Sequence, residues 1–153
     1  MPALQTTYPI FQSAGFPGMH ADFAEWDART RVASAAIDFG APVQRNGADG
    51  CSPLVSGGEY LGIAGVRRIT GSATNADSYV SGDNVPVADE GCFFAIADAA
   101  IAVGAALNWN TATRRFTTAA TSGTVIACPQ TEADSAASAA GAVFRIRLRR
   151  IPS

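Results

Sequence analysis

A chain of 153 residues suits one domain and is long enough to bury a core without disulfides or metals. A charged fraction of 16%, a hydrophobic fraction of 48% and a mean hydropathy of +0.13 exclude a disordered chain. A net charge of −2 with a pI near 5.2 speaks against nucleic acid, whose phosphates need a basic surface, and no stretch approaches the ~20 apolar residues of a bilayer span.

In chain order, the first thirty residues stand apart. They carry Tyr8, Phe11, Phe16, Phe23 and Trp26, while Pro2, Pro9, Pro17, Gly15 and Gly18 prevent long regular elements. An aromatic segment that cannot build its own sheet must bury its rings on the body of the domain or on a partner. Residues 1–29 are therefore predicted as an extended N-terminal arm and residues 30–153 as a β domain. The opening run has no basic stretch followed by an apolar one, so no secretory signal is expected.

Beyond residue 30, short apolar stretches alternate with turn chemistry, the texture of an all-β domain. Strands are predicted over 31–40, 42–46 and 60–70, and "VPVAD" (Val85 to Asp89) with "EGCFFAIAD" (Glu90 to Asp98) reads as a tight hairpin turning at Asp89, Glu90 and Gly91. "ALNWN", "RRFTT" and "TVIACP" follow as further strands. The run Ala133 to Ala140 is read as a loop or a single helical segment, because its small side chains have little to bury. The clearest strand is "AVFRIRLRR" (Ala142 to Arg150): Phe144, Ile146 and Leu148 face one way, and Arg145, Arg147 and Arg149 the other. The fold class is mainly β, a small β-barrel or β-sandwich with an extended N-terminal arm.

Few residues offer chemistry. His20, the only histidine, stands near Asp22, Glu25 and Asp27, but no second histidine supports a metal site. A serine hydrolase would need a G-x-S-x-G elbow, and "VSGGE" and "TSGTV" lack its strand-turn-helix context. All eleven basic residues are arginine, so Schiff-base and P-loop chemistry, which need lysine, are closed. Cys51, Cys92 and Cys128 form no C-x-x-C pair and read as small buried apolar side chains in a reduced compartment. No catalytic residue, metal or cofactor is expected, and the chain is read as a non-enzyme. The arginine face of the last strand reads either as a solvated face that protects an edge or as a surface for acidic protein.

"GFPGMHAD", "RVASAAIDFGAPV", "EYLGIAGVRRIT" and "DSYVSGDNVPVADEGCFFAIADAAIAVGAAL" occur in an order that resembles the structural cement (head decoration) proteins of tailed bacteriophages. The resemblance runs from about Gln12 to the last strand. It implies a non-enzymatic protein on the outer surface of the expanded capsid of the virion, made in the host bacterial cytoplasm. There it bridges major capsid protein subunits, itself a homodimer or homotrimer. The segment Gly15 to Met19 is the part the resemblance places against the capsid. Together with the aromatic arm and the arginine face, the capsid-contact candidates are Tyr8, Phe11, Phe16, Pro17, Met19, Trp26, Arg145, Arg147 and Arg149. Two other readings stay open: a glycan- or receptor-binding module of a phage tail or fibre, with Trp26 and Trp109 as sugar platforms, and a small hydrolase using His20 with Asp22 or Glu25.

Overall fold

The computed structural model describes residues 15–22, 25–66 and 78–151; Tyr8, Phe11 and the last part of the strand predicted over 60–70 lie outside the described residues. The described chain holds no helix and folds as β1 (Asp27–Ala33), β2 (Ile37–Asp38), β3 (Pro42–Asn46), β4 (Gly50–Pro53), β5 (Tyr60–Ala64), β6 (Ser78–Tyr79), β7 (Asn84–Ile96), β8 (Ala106–Asn110), β9 (Arg115–Thr117), β10 (Val125–Ala133) and β11 (Val143–Leu148). The expectation of a mainly β protein built around a small barrel holds.

Strands β1-β4-β3-β5-β7 are hydrogen-bonded in that order, and β1 also pairs with β7, which closes a five-stranded barrel. A second group, β7-β11-β10-β8-β9, continues the same sheet. It curls until its ends meet at the bridge between Ala97 and Phe116, where Asp98 N–H also donates to the Phe116 carbonyl at 2.8 Å. Strand β7 serves both groups. Its first half pairs with β1 and β5, and residues 91–96 pair with β11.

Two cores follow from this division. Val85 and Val87 point into the closed barrel with Val43, Cys51, Leu61 and Tyr79. Phe93 and Ala95 point into the second core with Trp109, Phe116, Phe144, Ile146 and Leu148. Tyr60, Ile63 and Ala88 belong to the closed barrel's strands yet join the second core, so the outer face of one barrel packs against the other. The buried hydroxyls of Tyr60 and Thr131 meet at 3.0 Å across that junction. All three cysteines are free and buried, and burial pushes the Cys128 thiol up to about 12.

The structure corrects the hairpin expected at Asp89 to Gly91: β7 runs straight through it. A two-residue type I′ reversal needs positive φ at both central residues, and in this stretch only Gly91 (φ 126°) has it. Glu90 is instead registered opposite Asp27 and Gly91 opposite Leu148, and Asp89 is the extra residue where the register shifts between Asp27 and Ala28. Gly91 marks the point where the strand changes neighbours. The strand predicted over 31–40 breaks at Ser34 into β1 and β2. Strand β10 runs past Pro129 to Ala133 because an irregularity between Ala127 and Glu132, with Gln130 at φ 59°, takes the residue that cannot donate. The Ala133 to Ala140 run is a loop, pinned where Ala137 bridges Ile101.

Candidate functional site

Residues 15–21 form a strap along β7, on the edge that β1 leaves open. Gly18 N–H donates to the Phe94 carbonyl at 2.9 Å, Phe94 N–H to the Met19 carbonyl at 2.9 Å, and Ala21 N–H to the Cys92 carbonyl at 3.0 Å. Val66 N–H donates to the Gly18 carbonyl at 3.0 Å, tying the strap to the closed barrel as well. Glycine is needed here: Gly18 lies at φ 81°, and a Cβ on it would stand 2.7 Å from the backbone nitrogen of Gly40. Within the predicted arm, the described residues 15–21 are fastened to the body.

The fastening leaves large apolar side chains in solvent. Phe16 is 53% exposed, Met19 41% and Trp26 53%, while Pro17 is half-buried. Trp26 is braced from behind by the His20 ring, with centroids 4.3 Å apart, and His20 by Phe93 at 4.7 Å. Desolvation between these rings lowers the His20 pKa, against a smaller upward effect of Asp22. Beside them lies an apolar hollow of about 280 Å³, walled by Met19, Trp26, Val66 and Pro86. Trp109 is buried and packs edge-on against Phe116, so of the two tryptophans only Trp26 offers an exposed face.

The arginine face of β11 has the predicted alternation, but its charges already have partners. Asp134 holds Arg147 at 2.9 Å and Arg145 at 3.4 Å, Glu132 takes Arg149 at 2.7 Å, and Glu90 takes Arg150 at 3.0 Å. Asp22 and Asp134 approach the Cys92 sulfur, with these ligand atoms within 4.8 Å of one another. Two guanidiniums share Asp134, which places positive charge where a cation would sit, and burial raises the Cys92 thiol. The cluster is a network of ion pairs. Glu25 lines a separate charged hollow with Glu90 and Arg149, and no serine, threonine or thiol nucleophile is brought to His20 among its described ring and hydrogen-bond contacts.

Sequence reasoning missed the cleft between the two barrels, lined by Phe16, Phe39, Ile96, Trp109 and Phe116 with Asp38 and Arg114 at its rim. These residues come from distant parts of the chain, and no local motif joins them.

Compared with protein-family models, residues 4–149 match the structural cement protein family (E217 gp24/Pam3 gp6). Among solved structures, a chain described as "The capsid of Myoviridae Phage XM1" is similar over 97% of this chain and 99% of that chain, with a TM-score of 0.70 and 16% sequence identity. At that identity the likeness speaks for the fold. A sequence search of curated proteins found no match.

Proposed function

Because the chain belongs to the phage structural cement protein family, and is thereby a capsid-associated structural protein of the virion, we propose that it decorates the outer surface of the expanded head. In this reading it bridges neighbouring major capsid protein subunits and reinforces the shell. The role calls for no catalytic group and no cofactor, and the chain is read as a non-enzyme made in the host cytoplasm.

The observation that carries the reading is the stripe of Phe16 and Met19, exposed on a strap that hydrogen bonds hold in place, and Trp26, exposed beside it against the strap's His20. Tryptophan, phenylalanine and methionine are the side chains enriched at the cores of protein interfaces. A fixed strap spares the partner most of the ordering cost. Tyr8 and Phe11, which precede this stripe in sequence, complete the proposed set of contact residues. The arginines of β11 are a secondary feature, since each already meets a carboxylate of its own chain. Repetition over a shell multiplies modest contacts by avidity, and a site on a local symmetry axis suits a homodimer or homotrimer.

Co-sedimentation of the purified protein with expanded, undecorated heads tests the reading. Saturation at a fixed ratio per capsid subunit is the expected result, and the ratio reports which symmetry axis is occupied. Absence of binding by folded protein to competent heads would overturn the cement role and move attention to glycans stacking on Trp26.

A further inference from the structure

The cleft between the barrels has a volume of about 330 Å³ and a mainly aromatic wall. An ion pair crosses its rim, Arg114 Nη1 donating to Asp38 Oδ2 at 3.1 Å, and so links β2, which pairs with β6 in a separate two-stranded sheet, to the β8–β9 turn. Arg114 closes that turn at φ 56°. Its N–H donates to the Asn110 carbonyl, while Asn110 Oδ1 accepts from the N–H groups of Ala112 and Thr113. Glycine or asparagine is the usual residue in this left-handed conformation. An arginine there is strained, and such strain concentrates where a side chain has a task.

The Arg114 side chain is 72% exposed, and among the described residues it pairs with Asp38 through Nη1. The edge formed by Nε and Nη2 stays open for a carboxylate held by two parallel hydrogen bonds. Directly below lies apolar volume suited to one large side chain. We propose that the cleft is a docking site for an extended protein segment that presents an aromatic or aliphatic side chain beside a carboxylate, the side chain filling the cleft and the carboxylate resting on Arg114. The open Nε and Nη2 edge of Arg114 beside an apolar hollow selects this chemistry. That the segment belongs to the head shell rests on the cement reading above.

N-Acetyl-phenylalanine, with a free carboxylate, and N-acetyl-phenylalanine amide serve as probes, followed by amide and indole chemical shifts of the isotope-labelled full chain. The acid is expected to shift Phe39, Gly40, Ile96 and the Trp109 indole saturably, with affinity on the order of millimolar, and the amide to bind roughly tenfold more weakly. Arg114→Gly suits the backbone conformation, so it is expected to melt at or above the wild-type temperature while losing the distinction between the two probes. Absence of cleft shifts with the acid, equal binding of acid and amide by the wild type, or an undiminished distinction in Arg114→Gly would each overturn the site. Heads separate this inference from the one it rests on. Wild-type protein that fails to bind heads removes the cement role, whereas Arg114→Gly binding heads as tightly as wild type overturns the head shell as the source of the segment.

Discussion

Gly18 shows how one residue controls the presented surface. The strap reaches β7 only because Gly18 and Gly40 approach backbone to backbone. Gly18→Ala is expected to cost about 1–3 kcal/mol in urea unfolding and to lower head binding with it, since Met19 moves with the strap and Trp26 rests on the strap's His20. Asp89 controls pH dependence. It is buried, its Oδ1 meets no hydrogen-bond partner among the described residues, and burial raises its pKa, reinforced by Asp27 and opposed by Arg29. A carboxyl that holds its proton more tightly when folded burdens the fold at neutral pH. That burden lifts as pH falls through the raised pKa, and is gone below the unfolded value near 3.8. Asp89→Asn is therefore expected to be at least as stable as wild type at pH 7, and to lose this advantage as the pH falls. Urea midpoints of both proteins at neutral and acid pH check it.

Among elements, β11 and the strap have opposite characters. Strand β11 was legible because its burial alternates with period two, and the sequence also placed its arginines on one face. What they face was not legible: Asp134 and Glu132 are brought alongside by the pairing of β10 with β11 and the turn that follows β10. Exposed ion pairs contribute roughly 0–1 kcal/mol each. Replacing Arg145, Arg147 and Arg149 with serine should thus change head affinity less than about threefold even at low salt; a large loss at low salt that vanishes at high salt would show that the face meets an acidic partner. The strap is the described part of the predicted arm that hydrogen bonds fasten to the body. Deletion through residue 21 removes the partners of Phe94 and Val66 and is expected to lower the melting temperature by several degrees, roughly the scale of a few lost hydrogen bonds.

At the scale of the molecule, a single strand belongs to two cores. Neither the closed barrel nor the second group is complete without β7, and the residues Tyr60, Ile63 and Ala88 seal the junction. The two should unfold together. Fluorescence of Trp26 and Trp109 and far-ultraviolet circular dichroism are expected to give coincident urea transitions; separated transitions would mean that the barrels are independent units. Tyr60→Phe, which deletes the hydroxyl that meets Thr131, is expected to shift the common midpoint by about 1 kcal/mol without splitting it.

The sequence by itself determined the β class, the inward face of β11, the buried thiols and the family resemblance. These rest on period-two alternation and residue order, which are local properties of the chain. Only the tertiary structure decided that Asp89 to Gly91 continues a strand, because a Gly in a turn-like run is equally at home where a strand changes neighbours. The same holds for β4, whose Gly50 and Pro53 carry weak strand propensity and which forms because β1 and β3 flank it. The inter-barrel cleft and its Asp38–Arg114 rim lay furthest from the sequence. They arise where one continuous sheet curls to both sides of β7, and closure joins residues that no local pattern connects.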